Sequence, residues 1–121
     1  MNKGTSSILI VVYLVLLAVG SLVPCRFSSD VVAGGDKVIH FLFYVPLGIL
    51  LRPPKTSSSL SLALTLRLGV GTLYGFFMEL LQTAVPGRTA SLYDGIANFL
   101  GVAVGISVGV LHGWIRGRME N

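Results

Sequence analysis

Three pairs of polar side chains punctuate an otherwise apolar chain: Asp36 with His40, Glu79 with Gln82, and Asp94 with Asn98. Members of a pair stand three or four residues apart, so on a helix they share a face. An imidazole beside a carboxylate can act as a general base, and a second carboxylate can supply the acid. The same imidazole and carboxylates offer mixed nitrogen and oxygen ligands of a kind that suits zinc. Lys37 and Arg88 add positive charge, and arginine can grip a phosphate or carboxylate through two parallel hydrogen bonds. Spacing alone assigns neither metal nor cofactor, and none is expected. There is no Gly-x-Ser-x-Gly elbow, no His-Glu-x-x-His pair and no phosphate loop, and Ser91 near the cluster has no motif around it.

These residues have to be positioned by a chain of unusual composition. Of its 121 residues 53% are hydrophobic and 12% charged, about half the charged share of a soluble domain. The apolar residues come in blocks, which is the signature of membrane spans. One compact all-α transmembrane domain over residues 1–121 is the expected architecture. The net charge of +4 comes without a basic stripe interleaved with aromatics, so nucleic acid is excluded as a partner. The basic residues read instead as determinants of topology.

Four apolar runs predict a four-helix bundle: Ile8 to Val23, Val38 to Leu51, Leu60 to Val85 and Leu92 to Ile115. Pro24 ends the first run. A cleavable signal peptide would look similar, but the short later runs need neighbours, and a retained helix is expected. The second run approaches a full span only with Asp36, Lys37 and Arg52 at the interfaces. Pro46 is expected to kink it, with neighbours satisfying the freed carbonyl. Composition makes Pro53 to Ser59 a loop, and Val85 to Arg88 a turn. Gly101, Gly105, Gly109 and Gly113 recur every four residues, and Gly71 and Gly75 do likewise on the third run, predicting close helix packing within the bundle. The single cysteine, Cys25, permits no internal disulfide, and Pro24 before it fits a lipidation box poorly. His112 reads as an interfacial residue.

Basic residues favour one side. Lys3, Arg52, Lys55, Arg116 and Arg118 flank the termini and second loop, against Arg26, Lys37 and Arg88 in the first and third loops. That excess predicts an inner (cytoplasmic) membrane protein with both termini in the cytoplasm. Arg67 can snorkel to the same side.

Connectivity then brings the polar pairs together. In a four-span bundle the first and third loops share a side. The second span starts there, the third ends there and the fourth starts there. At ~1.5 Å per residue, His40 lies ~6 Å below Asp36, Asn98 ~6 Å below Asp94, and Glu79 ~10 Å below Pro86. Tyr44 continues the Asp36–His40 face one turn deeper. A charge facing lipid at mid-bilayer costs roughly 2.5–3.5 kcal/mol, so mutual pairing is favoured. Each residue taken singly also reads as a cap or a staple. Asp36 and Asp94 suit a first turn, and Asn98 suits a bond between helices. Taken together they read as a polar pocket open to the noncytoplasmic surface.

The stretches "DKVIHFLFYVPLG", "GFFMELLQTAVPGRTASLYDGIANFLG" and the following "VAVG" resemble the VanZ-like family of small membrane proteins. The resemblance points to Asp36, Lys37, His40, Glu79, Gln82, Arg88, Asp94 and Asn98 as ligand-binding positions. The family's named member is linked to low-level resistance to teicoplanin, a glycopeptide antibiotic with a fatty tail. The resemblance supplies no biochemical activity. Two functions compete. One is binding of an amphiphile, a membrane lipid, lipid-linked cell-wall precursor or acylated antibiotic, with its acyl chain between helices and its head over the polar cluster. The other is an intramembrane hydrolase or transferase using His40 and nearby carboxylates. A proton-coupled transporter is disfavoured by four short spans without an internal repeat.

Overall fold

The computed structural model describes residues 3–22, 34–54 and 58–120. The first-loop residues Pro24, Cys25 and Arg26, and Lys55 of the second loop, lie outside the described residues. Four helices follow in order: α1 (Lys3–Leu22), α2 (Gly35–Leu50), α3 (Leu60–Gln82) and α4 (Leu92–Met119), with no strand among the described residues. Three of them, α1, α3 and α4, are long and apolar enough to cross a membrane. Helix α2 has 16 residues, a length of about 24 Å against a hydrocarbon layer of ~30 Å. It is bounded by Gly34, which takes a left-handed φ of 90°, and by Arg52-Pro53-Pro54, which cannot extend it.

The ends of the other elements follow local rules. The Ser59 hydroxyl accepts from the Leu62 amide at 3.4 Å and caps α3. Helix α3 stops at Gln82, three residues short of the apolar run's end. The chain then turns through Val85–Arg88, with Arg88 N–H donating to the Val85 carbonyl at 3.1 Å and Gly87 at φ 82°. Proline followed by a positive-φ glycine is the type II pattern. Helix α4 runs four residues past Ile115. Its last turn carries Arg116 and Arg118, favourably placed against the C-terminal dipole. Arg118 lies 4.0 Å over the Trp114 ring, and Arg116 pairs with Glu120 at 3.0 Å.

Helices α2 and α4 form the tightest pair, and glycine is the reason. A Cβ at Gly48 or Gly105 would strike the backbone of the facing helix, at the carbonyls of Val102 and Val45 respectively. Gly101 likewise faces the Phe41 carbonyl. Missing side chains let the two backbones touch, the close approach typical of small-residue interfaces in membranes. Helix α3 packs on α4 through Gly71 and Gly75, where added Cβ atoms would lie 2.8 Å from Val102 Cγ1 and 3.0 Å from Asn98 Cβ. Leu17, Tyr44, Leu47, Leu51, Val102 and Ile106 form the core.

Helix α1 touches α2 and α3 and is mostly exposed. Two tyrosine hydroxyls tie it in: Tyr13 donates to the Phe43 carbonyl at 2.8 Å, and Tyr74 donates to the Leu14 carbonyl at 2.5 Å. Pro46 sits inside α2 and leaves the Leu42 carbonyl without its amide partner. The Tyr13 bond falls on the next carbonyl, in the turn the proline loosens. At the opposite end of the bundle, Arg67 Nη1 donates to the carbonyls of Leu51 and Arg52 at 3.1 and 3.2 Å. Arg67 therefore caps the C-terminus of α2 as well as lying near the second loop. Many large apolar side chains face outward, among them Leu73 at 72% and Leu80 at 65% exposure. In water that surface would be a severe liability, and in lipid it is the solvent-facing coat.

Candidate functional site

Helix order places the C-termini of α1 and α3 and the N-termini of α2 and α4 at one end of the bundle. The polar residues singled out above sit there. His40, Glu79, Gln82, Asp94 and Asn98 are all buried, in a molecule whose core is otherwise apolar. Asp36 and Lys37 ring the mouth, with side chains 63% and 48% exposed.

Glu79 is the hub. Its Oε1 lies 3.3 Å from His40 Nδ1 and accepts from Asn98 Nδ2 at 3.3 Å, while Oε2 accepts from the Ser91 amide at 3.4 Å. A buried carboxylate survives only with such partners. Two helices neighbouring α3 converge on it, since His40 belongs to α2, Asn98 to α4, and Ser91 is the N-cap of α4.

The same contacts fix the imidazole. His40 Nδ1 faces two oxygens, Asn98 Oδ1 at 3.1 Å and Glu79 Oε1 at 3.3 Å. With acceptors on that side, Nδ1 carries the proton, and in the neutral ring Nε2 keeps its lone pair. The Asn98 amide orientation follows from the same network, Oδ1 toward the ring and Nδ2 toward the carboxylate. Nε2 looks the other way, to Asp36 Oδ1 at 3.9 Å. Asp94 stands beside it. One donor atom from each of Asp36, His40 and Asp94 lies within 4.8 Å of the others. Lys37 Nζ is 3.9 Å from Asp94 Oδ1, an ion pair too long for a hydrogen bond.

A cleft of about 530 Å³ opens beside this network. Tyr13, Leu16, Leu17 and Gly20 of α1 and Ile39 and Phe43 of α2 line its apolar side. Asp36, His40, Tyr44, Gln82 and Arg88 line its polar side. Two buried groups on that wall, Tyr44 Oη and Gln82 Nε2, have no hydrogen-bond partner among the described residues. Leaving a buried polar group unpaired costs roughly 1–3 kcal/mol, so each of the two can gain by hydrogen bonding to a group that enters the cleft.

Arg88 makes a structural contact that its spacing did not predict. Its Nη1 donates to the Ser21 carbonyl at 3.0 Å, clamping the last turn of α1 to the α3–α4 turn. The guanidinium still borders the cleft and has further donors on its planar fork. The sequence reading missed the contribution of α1. Tyr13 and Ser21 are polar positions in a run read only as a span, and a tyrosine in mid-span was the available signal. His112 is exposed on α4, and its helix position puts it at the opposite end of the bundle.

A family model described as VanZ/LLP1 matches residues 5–113, a stretch that takes in the four helices up to Gly113. No curated protein matches the chain, and no solved structure does.

Proposed function

Because the chain belongs to the VanZ/LLP1 family, and its helices are those of a membrane protein, we propose that it binds an amphiphile in the cleft between α1 and α2. The cleft's two-sided lining carries this reading: an aliphatic and aromatic wall from Leu16, Leu17, Ile39 and Phe43 meets a polar end at Asp36, His40, Gln82 and Arg88. An acyl or prenyl chain lies along the first. A phosphate, sugar or amide head occupies the second. The unpartnered Gln82 Nε2 donates to the head group and Tyr44 Oη completes its bond there. Arg88 and Lys37 supply the positive charge for a phosphate or carboxylate.

The ligand class is a lipid-linked cell-wall precursor or an acylated glycopeptide such as teicoplanin, which ties the chain to the cell envelope and to antibiotic susceptibility. The basic residues favour the inner membrane, both termini in the cytoplasm and the polar end outward. Binding is read from purified protein in nanodiscs against a fluorescent lipid-linked precursor and against teicoplanin. Arg88→Ala should weaken it about ten-fold or more by removing the cation that holds the phosphate or carboxylate, and Asp94→Ala by a similar factor by removing an acceptor for the sugar or amide N–H and O–H groups of the head. Unchanged binding in both folded variants sinks the proposal.

One observation favours a second reading. Glu79 and Asn98 hold His40 Nδ1 so that Nε2 is available as a base, the orienter–base arrangement of hydrolases. In that case the site cleaves or transfers a lipid-linked substrate. Turnover by purified protein that disappears in His40→Ala distinguishes it from binding alone.

A further inference from the structure

We propose that His40 Nε2, Asp36 and Asp94 form the binding site of one divalent transition-metal cation of the zinc class, at the polar end of the cleft. Three observations carry it.

The first is the donor set. A nitrogen and two carboxylates suit zinc, and catalytic zinc sites use three protein ligands with a fourth position left for water or substrate. The donor atoms already lie within 4.8 Å of one another. Zinc–ligand bonds of ~2.0–2.2 Å would set their separations near 3.3–3.6 Å. Closing that gap takes rotation of Asp36, whose side chain is 63% exposed and free to move.

The second is the ring's orientation. Metal-binding histidines donate their other N–H to a carboxylate or carbonyl, which fixes the tautomer. His40 Nδ1 meets Glu79 Oε1 at 3.3 Å and Asn98 Oδ1 at 3.1 Å. Nε2 is thereby left to bind.

The third is an orphan. Asp94 is only 5% exposed, and its Oδ1 has no hydrogen-bond donor among the described residues. Lys37 Nζ stands 3.9 Å away. Asp36, Glu79 and Asp94 crowd around one imidazole, with Lys37 the one ammonium in ion-pair range among the described residues, and a divalent ion gives the unpaired Asp94 oxygen the partner it lacks there. Lys37 is half exposed and swings out readily, so it competes with the ion and does not replace it.

The ion does not depend on the amphiphile, and the experiment is done without one. Chelator-stripped protein in detergent is titrated with Zn²⁺ alone, by calorimetry and by competition with a chromophoric chelator. The expected result is one equivalent bound, with affinity lowered about ten-fold or more in both Asp36→Asn and Asp94→Asn. Asp36 is exposed, so that variant keeps its fold, verified by circular dichroism. His112→Ala, at the far end of α4, should bind as the parent does. Absence of saturable binding overturns the site. So does binding that survives both aspartate substitutions, which is an adventitious ion only. Amphiphile binding by the stripped protein is scored separately, so that either reading can fail alone. An ion on Nε2 also takes the lone pair that a histidine base requires, and the titration therefore bears on the second reading above.

Discussion

Glu79 and Gln82 lie three residues apart on α3, and both are buried, yet they stand in opposite states. Glu79 meets an imidazole, an amide and a backbone N–H. Gln82 Nε2 has no hydrogen-bond partner among the described residues. A residue kept for structure looks like the first, and one kept for a ligand looks like the second. Gln82→Leu, of similar volume, removes that donor without breaking any side-chain hydrogen bond among the described residues. Its stability in detergent should match the parent or exceed it by up to ~1 kcal/mol, read from thermal unfolding. Its affinity for the amphiphile should fall about five- to ten-fold, the loss of one hydrogen bond. A large loss of stability with unchanged affinity would make Gln82 a staple.

Among the helices, α2 depends most on its neighbours. It is the shortest, contains Pro46, and carries His40 into the site. Contact with α4 holds it, because Gly48 and Gly105 bring the two backbones together. Gly105→Ala drives a methyl against the Val45 carbonyl and must separate the helices. A loss of about 1–3 kcal/mol is expected, read as a lowered unfolding midpoint, together with weaker zinc and amphiphile binding as His40 moves away from Asn98. Gly69→Ala on α3 is the control. Nothing lies within 4 Å of its added methyl, and helix propensity should make it neutral or stabilising by up to ~1 kcal/mol. Equal effects at the two positions would mean that α2 and α4 do not touch as described. Arg67 works at the same scale, capping α2 from α3 at the end remote from the site.

For the whole molecule, the large outward-facing apolar side chains and the single polar end set how it sits in a bilayer. The excess of arginine at the other end, at Arg52, Arg67, Arg116 and Arg118, is the basis for the proposal that the polar end faces away from the cytoplasm. In a Cys25→Ser background, Thr89→Cys beside the α3–α4 turn should react with a membrane-impermeant maleimide in intact cells. Ser58→Cys, in the second loop, should react only after lysis. The reverse labelling pattern would place the cleft on the cytoplasmic side and remove any role with external precursors or drugs.

Much of this was legible in the residues themselves. Blocks of apolar sequence broken by Pro53-Pro54 and by Val85–Arg88 determine four helices, since uncharged runs of that length have few other stable states in lipid. Even the joint end of the polar residues follows from connectivity alone, because an even number of crossings returns alternate loops to one side. Glycines at four-residue spacing announced close packing, although not which helix they would meet. Tertiary structure decided the rest. Sequence spacing says that Asp36 and His40 share a face. It does not say which imidazole nitrogen turns toward Glu79 and Asn98, nor that Arg88 reaches the Ser21 carbonyl 67 residues back along the chain. It gave no sign that α1 would join Ile39 and Phe43 of α2 in the apolar wall of the cleft. Those outcomes depend on the rotation of each helix about its own axis and on distances between them. Both are set by packing across the bundle, which no local pattern encodes.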